Sequence, residues 1–461
     1  MHFSFLPLAS LRSWRAWAGA LWLAASAAAA APQPAECPRS LPGDARCYSG
    51  QDEAGAFYWM ALPAGWRAAD GVLVMHTHGG PELGKPGSAR TRADLDRWSI
   101  MVRAGYAWAG STYRRGGYGV TMAAEDTERL RQLFVQKFGQ PRRTVLHGQS
   151  YGGGVASIAA ERYAPAAEPG VAPAPSPYDG LLLTNGVLGG GVDAYRFRLD
   201  LRAVYQYVCG NHPKSDEPQY PLWMGLPAGA HLTRAELAER VKECTGVGLP
   251  AAQRSAAQQQ RLGSILAAVR IEERSLVAHL AWGTFLFRDL VQQRLGGRNP
   301  WGNQGVVYGG VDAAQQAALN AGVARYAADP QAQGMLSADS RPTGRTRLPT
   351  LTLHAIHDPT AFVELEHSYR AIRRAAGTDG HLVQTFSDER EHSYLSDAEY
   401  PAAMAALLDW IDHGTQPTPA AVAERCAQTR ARFDQDGKNG CHFQTGYEPP
   451  PLATRVPEAV Q

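Results

Sequence analysis

Short apolar runs recur along the chain and predict β-strands. They are rich in β-branched and aromatic residues and are bounded by glycine or proline, as strands commonly are. Six of them lie at 56–63, 71–80, 144–149, 180–186, 349–355 and 381–386. Another strand is predicted from residue 105, where the chain then enters a glycine-rich loop that ends at residue 119.

Apolar residues at helical spacing predict helices between these strands. In the segment 124–139, Leu130, Leu133, Phe134 and Phe138 recur at such spacing before Gly139 and Pro141 end the pattern. Further helices are predicted at 152–163, around 362–375 and at 402–414. The alternation of strand and helix predicts an α/β protein whose mostly parallel sheet is covered by helices on both faces.

A segment of different character interrupts the alternation. Residues 192–345 carry mainly helical patterns, including a capping box at Thr233 and Glu236 and a long amphipathic run over 261–295. We therefore predict a core in two parts, 31–191 and 346–461, with 192–345 inserted as a mainly helical cap. A free-standing second domain is the alternative, but the alternating pattern needs the residues on both sides of the insertion.

The N-terminal residues and the cysteines both predict export. Residues 1–30 combine arginines, an alanine-rich apolar stretch and small-residue cleavage sites, as a signal peptide does, whereas the stretch is short for a membrane anchor. No later run is long and apolar enough to cross a bilayer. Six cysteines follow, and proximity favours three disulfides, Cys37–Cys47, Cys209–Cys244 and Cys426–Cys441, the last closing the C-terminal tail. We expect a periplasmic or extracellular protein.

Composition and charge narrow the class of protein. The 461 residues are 44% hydrophobic and 19% charged, which is typical of a globular chain. The formal net charge is +2 and there is no long basic run, so nothing predicts nucleic-acid binding.

The segment Gly148-Gln149-Ser150-Tyr151-Gly152 carries the chemistry. It lies between a predicted strand and a predicted helix, which is where a GxSxG nucleophile elbow exposes its serine. A phosphate-binding loop is the competing use of such a turn, but neither GxxxxGK[ST] nor GxGxxG is present here. Ser150 is therefore the candidate nucleophile.

A serine nucleophile needs a base and an acid, which follow it in the order Ser, Asp, His in such proteins. Asp358 and His392 each come just after a predicted strand, where loops at the carboxyl ends of parallel strands build sites. Asp388 and Glu391 are rival acids, but they share the loop of His392 and would reach its ring awkwardly.

An oxyanion hole needs two N–H donors. The Tyr151 amide is one by its position after the serine, and the turn after the strand at 71–80 offers Gly79 or Gly80 as the other. His76 and His78 share a strand face and would suit zinc, but further ligands are absent nearby. We expect no metal and no organic cofactor.

Five segments together resemble the catalytic domain of the prolyl oligopeptidase-type α/β-hydrolases. In chain order they read MHTHGGPELG, STYRRGGYG, GQSYGGG, HDPTAFVELEHSYRAI and EHSYLSD, and they span about 70–163 and 345–412. The resemblance implies an α/β-hydrolase fold, Ser150 as nucleophile, Asp358 as acid, His392 as base and a structural loop at 114–119.

The chain departs from that family in three places. The residues before 71–80 are too few for the family's N-terminal propeller, the loop after Asp358 lacks its Val-Pro step, and 192–345 has no counterpart in the peptidases. We therefore expect a serine hydrolase that cleaves a small-molecule ester. A serine exo- or oligopeptidase acting on short peptides and a non-catalytic binding protein of the same fold are the alternatives.

Overall fold

The computed structural model describes residues 31–166, 175–434 and 440–458. Within these ranges nine strands form one sheet: β1 (Gln33–Ala35), β2 (Arg46–Gln51), β3 (Phe57–Leu62), β4 (Val72–Thr77), β5 (Ala107–Ser111), β6 (Arg143–Gln149), β7 (Gly180–Thr184), β8 (Thr350–Ala355) and β9 (Leu382–Ser387). Their order across the sheet is β1-β2-β3-β5-β4-β6-β7-β8-β9. The first three strands and β5 pair antiparallel, and from β5 to β9 every pairing is parallel.

Fifteen α-helices lie in the same described ranges. They are α1 (Ser88–Arg97), α2 (Ser99–Arg103), α3 (Val120–Phe138), α4 (Tyr151–Tyr163), α5 (Gly190–Tyr195), α6 (Phe197–Cys209), α7 (Arg234–Thr245), α8 (Ala256–Val269), α9 (Leu276–Ala281), α10 (Phe287–Asp289), α11 (Ala313–Gly322), α12 (Pro330–Ser340), α13 (Glu364–Ala375), α14 (Glu399–His413) and α15 (Pro419–Phe433).

The central strands are buried on both faces, which is why they are almost wholly apolar. In β4, Leu73 and Met75 belong to one hydrophobic cluster together with residues of α3, α4 and α13. Val72 and Val74 point to the opposite face and join a second cluster with α1, α2, α14 and α15. The prediction of a mostly parallel sheet covered on both faces is confirmed.

The chain turns sharply from β6 into α4 at Ser150, and the strands that carry the other candidate residues end at the same edge of the sheet. This sheet, its two helical layers and the strand–serine–helix turn are those of the α/β-hydrolase fold. The antiparallel strands β1 and β2 extend the sheet at one side.

Between β7 and β8 the described residues contain helices α5 to α12 and no strand. The capping box predicted at Thr233 and Glu236 is present at the start of α7. The long amphipathic run is divided, because α8 ends at Val269 and the next residue, Arg270, has a left-handed backbone with φ 60°. After that residue the chain continues as α9, α10 and two π-helical turns, Trp282–Leu286 and Leu290–Arg294. The division of the chain into a core and a cap at 192–345 stays a prediction.

Three disulfides are present, Cys37–Cys47, Cys209–Cys244 and Cys426–Cys441, and no cysteine of the described ranges is free. These are the pairs that proximity in the sequence favours. Cys209–Cys244 joins the end of α6 to α7 inside the insertion, and Cys426–Cys441 ties the C-terminal segment to α15.

Candidate active site

Ser150 occupies a strained turn at the carboxyl edge of the sheet, where the residue is 5% exposed. Its backbone has φ 57° and ψ −122°, a conformation that residues other than glycine rarely adopt. Tight packing maintains the turn. A Cβ on Gly148 would lie 2.4 Å from the Gly152 oxygen, and one on Gly152 would lie 1.9 Å from the Thr77 oxygen. The two glycines of the motif are therefore required for close approach of backbone segments.

The structure brings the three predicted residues together in one hydrogen-bonded chain. The Ser150 hydroxyl lies 2.8 Å from His392 Nε2. On the other side of the ring, His392 Nδ1 lies 2.7 Å from Asp358 Oδ2 and 3.0 Å from Oδ1. Asp358 is buried, and its Oδ1 also accepts hydrogen bonds from the Thr360 and Ala361 amides. The two backbone amides thus fix the position of the carboxylate independently of the imidazole.

The rival acids lie elsewhere. Asp388 pairs with His357, with 3.1 Å between Oδ1 and Nε2, and its side chain is 56% exposed. The Glu391 side chain makes no hydrogen bond to His392. The carboxylate that bonds the His392 ring therefore comes from the turn after β8 rather than from the histidine's own loop.

Two polar side chains hold the backbone of the histidine loop. Asn185 Nδ2 donates to the His392 carbonyl at 2.7 Å, and Gln149 Nε2 donates to the same oxygen at 3.2 Å. Asn185 also accepts from the Ala355 amide at 2.8 Å, so it ties β7, β8 and the loop together. Its backbone φ of 45° is unusual for a residue with a side chain. The sequence gives no signal for this role, because asparagine before glycine is typical of any turn.

The acid is supported by a second buried pair. His354 Nδ1 lies 3.1 Å from Glu366 Oε1, and its Nε2 lies 2.8 Å from the Ala361 carbonyl. Burial lowers the pKa of His354, but the hydrogen bond and the charge of Glu366 outweigh it and raise that pKa above its ordinary value. The pair orders the turn that carries Asp358.

Two of the three expected oxyanion donors can be placed relative to the serine, since Tyr151 follows it and Gly79 lies against its neighbour Gln149. Tyr151 is the first residue of α4, so its amide has no acceptor within the helix. Gly79 and Gly80 lie in the turn after β4. Gly79 packs closely against Gln149, and a Cβ added to it would lie 2.2 Å from Gln149 Oε1. Gly80 has φ 63°, which favours glycine.

The loop at 114–119 packs against the same corner. Arg114 binds Asp126 of α3 through both its amide and its Nε, each at 2.7 Å. The Gly119 amide donates to the Tyr151 hydroxyl at 3.1 Å. The loop is therefore anchored to α3 and to the first residue of α4.

Aromatic residues of the insertion divide into core and surface. Phe287 and Trp301 stack with ring centroids 3.9 Å apart and are buried, and Tyr205 is buried as well. Tyr207 is exposed. Trp282 is half-buried and contacts Tyr195, with ring centroids 5.5 Å apart.

No protein-family model and no curated protein matches the chain. Several solved structures are similar in shape. An acetyl xylan esterase from Paenibacillus sp. R4 is 13% identical, with 83% of this chain and 87% of that chain covered and a TM-score of 0.35. Feruloyl esterase B from Aspergillus oryzae is 12% identical, with 81% and 82% covered and a TM-score of 0.40. The rice cell wall degrading esterase LipA from Xanthomonas oryzae is 13% identical, with 85% and 90% covered and a TM-score of 0.36.

Proposed function

We propose that the protein is a serine hydrolase that cleaves carboxylic esters. The observation that carries the proposal is the chain of hydrogen bonds from Ser150 through His392 to Asp358, with the serine on a strained turn before a helix. A nucleophile, a base and an orienting acid in this arrangement serve acyl transfer on several unrelated folds.

In this mechanism the Ser150 hydroxyl attacks the ester carbonyl while His392 Nε2 accepts its proton. Asp358 holds Nδ1–H and stabilises the imidazolium. The Tyr151 amide and an amide of Gly79 or Gly80 bind the oxyanion. His392 then donates the proton to the leaving alcohol, and water releases the acyl group by the same steps in reverse.

We propose an ester rather than a peptide as the substrate because residues 192–345 have no counterpart in the peptidases that the motifs resemble. The resemblance to prolyl oligopeptidase-type enzymes keeps a peptidase as the second candidate, and a binding protein without activity as the third. These three candidates predict different behaviour toward a covalent probe and toward matched substrates.

A fluorophosphonate probe tests the catalytic serine. We expect the wild type to be labelled and Ser150→Ala to lose both labelling and about 10⁶-fold in kcat on p-nitrophenyl acyl esters. Ser393→Ala, at an exposed serine beside His392, is the matched control and should be labelled normally. An unlabelled wild type would favour the binding protein. Fast cleavage of aminoacyl or prolyl anilides with negligible ester cleavage would favour the peptidase.

We also propose that the mature protein works in the periplasm or outside the cell. The three disulfides are typical of oxidising compartments. The predicted signal peptide, residues 1–30, lies outside the described residues. In the part of the chain that is described, no helix is long and apolar enough to span a membrane. N-terminal sequencing of the protein recovered from its host should begin after the alanine-rich stretch, and an intact Met1 would contradict export.

A further inference from the structure

Arg198 in α6 is a buried cation that has no acid partner. The residue is 2% exposed. Its guanidinium makes one hydrogen bond, from Nη1 to the Ala194 carbonyl at 3.3 Å, and its Nε is buried without a partner. No described carboxylate forms an ion pair with it. Burial, opposed by a smaller effect of Tyr195, lowers the pKa of Arg198 to about 10, so the side chain still carries its charge at neutral pH.

Three aromatic rings surround this guanidinium. Its central carbon lies 4.5 Å from the ring centroid of Phe197, 4.8 Å from that of Trp282 and 5.0 Å from that of Tyr195. Cation–π contacts compensate part of the lost hydration. They do not supply acceptors for the N–H groups in the guanidinium plane, and the buried Tyr195 hydroxyl also lacks a partner. The cluster therefore presents unused donors in a place where an unpaired charge is costly.

The cluster is linked to the candidate active site on the serine side by ring contacts. Tyr195 contacts Tyr118, with centroids 5.8 Å apart, and Tyr118 contacts Tyr151 at 5.4 Å. Tyr151 follows Ser150 directly in the chain.

A second link reaches the acid loop. The Phe197 ring lies 4.9 Å from His279, and His279 Nε2 lies 2.9 Å from the carbonyl of Pro359, which follows Asp358. Burial lowers the pKa of His279 well below its ordinary value, and the charges of Arg198 and His392 lower it further. The His279 imidazole is therefore neutral, and it lies close enough to both Arg198 and His392 for their charges to lower its pKa.

We propose that Arg198 binds a carboxylate of the substrate, so that the preferred ester carries a free acid group. A planar guanidinium binds a carboxylate through two parallel N–H bonds, and an apolar surrounding strengthens them. The proposal rests on the proposed function, since it places this carboxylate on an ester cleaved at Ser150. The acid group can lie on the acyl side or on the leaving group, and matched substrates distinguish the two.

Arg202 lies one turn further along α6 and provides a matched control. It is equally buried and its Nε also lacks a partner, but its Nη1 donates to the Gly225 and Gly283 carbonyls and to the Thr284 hydroxyl at 3.1, 2.9 and 3.1 Å. Its Nη2 donates to the Tyr220 hydroxyl at 3.4 Å. These bonds join α6 to the segments it packs against. Arg202 is a structural residue, and its loss should lower stability without changing substrate preference.

The test compares acid and neutral esters of similar shape. On the acyl side, the 4-nitrophenyl monoester of adipic acid is compared with 4-nitrophenyl hexanoate. On the leaving-group side, 4-acetoxybenzoate is compared with 4-acetoxybenzamide. We expect the wild type to favour the acid member of one pair by about 10- to 100-fold in kcat/KM, and Arg198→Met to bring that ratio close to one.

Thermal unfolding separates binding from a structural role. Arg198→Met should melt no lower than the wild type, because an apolar side chain replaces an unpaired buried charge. Arg202→Met should melt lower and keep the wild-type ratio of acid to neutral ester. An Arg198→Met protein that keeps the ratio while losing both activities equally would overturn the proposal.

The two proposals fail in different ways. A wild type that cleaves neutral esters with no preference for either acid substrate leaves the hydrolase standing and overturns the role of Arg198. If the wild type cleaves no ester, calorimetry on Ser150→Ala with adipate and benzoate tests Arg198 alone. Binding that Arg198→Met abolishes would support the carboxylate site, and no binding of either acid would overturn it.

Discussion

At the scale of single residues, the candidate site depends on side chains whose positions are fixed from several directions. Asp358 illustrates this, because one carboxylate oxygen accepts two backbone amides while the other faces His392. His392 in turn is held through its carbonyl by Asn185 and Gln149. Several independent hydrogen bonds therefore fix the positions of these groups, as a preorganised site requires.

Substitution of Asp358 tests the orienting role. Asp358→Asn keeps an oxygen for the two amides but stabilises the wrong tautomer of His392, so we expect a loss of about 10⁴-fold in kcat with normal folding. Steady-state kinetics on a p-nitrophenyl ester and circular dichroism measure the two properties. Asp388→Asn, at the exposed acid bonded to His357, should remain fully active. Equal losses for the two variants would contradict the assignment of the acid.

Glu399 makes stability depend on pH. Burial, and next the charge of Glu389, raise its pKa to about 8. Its Oε1 accepts from the Ser387 hydroxyl and the His442 amide, while Oε2 is buried without a partner. The folded protein therefore binds a proton here that the unfolded chain releases near pH 4.5, so this group's stabilisation is lost as the pH rises toward 8.

Replacing Glu399 removes that dependence. The free energy of unfolding of Glu399→Gln relative to the wild type should rise between pH 5 and 8, by at most about 1.4 kcal/mol per pH unit. Urea unfolding at several pH values measures it. A difference that stays constant or falls over this range would contradict a proton held on Glu399.

At the scale of elements, the elbow between β6 and α4 depends on how closely the backbone of β4 approaches it. Thr77 donates its hydroxyl to the Gly152 carbonyl at 2.7 Å, and the Ser150 amide donates to the Thr184 carbonyl at 3.0 Å. The strained serine is thus fixed by both neighbouring strands, which supply the energy that an isolated turn would lack.

A pair of glycine substitutions tests this packing. Gly152→Ala would place its Cβ 1.9 Å from the Thr77 oxygen, so we expect a lower melting temperature and strongly reduced ester hydrolysis. Gly263→Ala in α8 meets nothing within 4 Å and should stabilise the protein by about 0.5–1 kcal/mol, as alanine does in an exposed helix. Melting curves and initial rates distinguish the two, and a fully active Gly152→Ala would mean that the elbow relaxes freely.

At the scale of the whole molecule, residues between β7 and β8 stabilise the start of helix α3. Helix α3 begins after Gly119, which has no side chain to cap it. Asp339 of α12 supplies the cap instead, accepting from the Val120 and Thr121 amides at 3.0 and 3.1 Å. Asp289 likewise accepts from the Tyr118 amide at 3.0 Å. The helices between β7 and β8 therefore stabilise the loop beside the serine.

Loss of the Asp339 carboxylate that caps α3 should destabilise both the sheet with its covering helices and the segment between β7 and β8. Asp339→Ala removes the acceptor for two helix N-terminal amides, and we expect a cost of about 1–2 kcal/mol in a single unfolding transition. Asp193→Ala is the control, because that carboxylate makes only an exposed ion pair with Arg341 at 4.0 Å. Urea unfolding followed by tryptophan fluorescence and circular dichroism tests this, and two separate transitions would show that the insertion folds on its own.

Local pattern predicted much of the fold because apolar runs and helical spacing are properties of short segments. The seven predicted strands correspond to β3–β9, and the predicted helices correspond to α3, α4, α13 and α14. The pattern does not predict β1, β2, α1, α2 or α15. The strand β2, RCYSGQ, is mostly polar and pairs near the edge of the sheet, and α1, SARTRADLDR, has a single large apolar residue. Their partners, rather than their own sequences, decide their structure.

The sequence by itself determined the chemical groups and the strand ends where they lie, since a GxSxG turn and acids or histidines after strands are features of adjacent residues. Only the tertiary structure decided which of these groups meet. Ser150 and His392 are 242 residues apart, and the sheet brings them to one edge. It likewise placed Asp358 rather than Asp388 or Glu391 against the imidazole, and the unpaired Arg198 beside His279. Contacts over such separations depend on the packing of the whole chain, which no local pattern records.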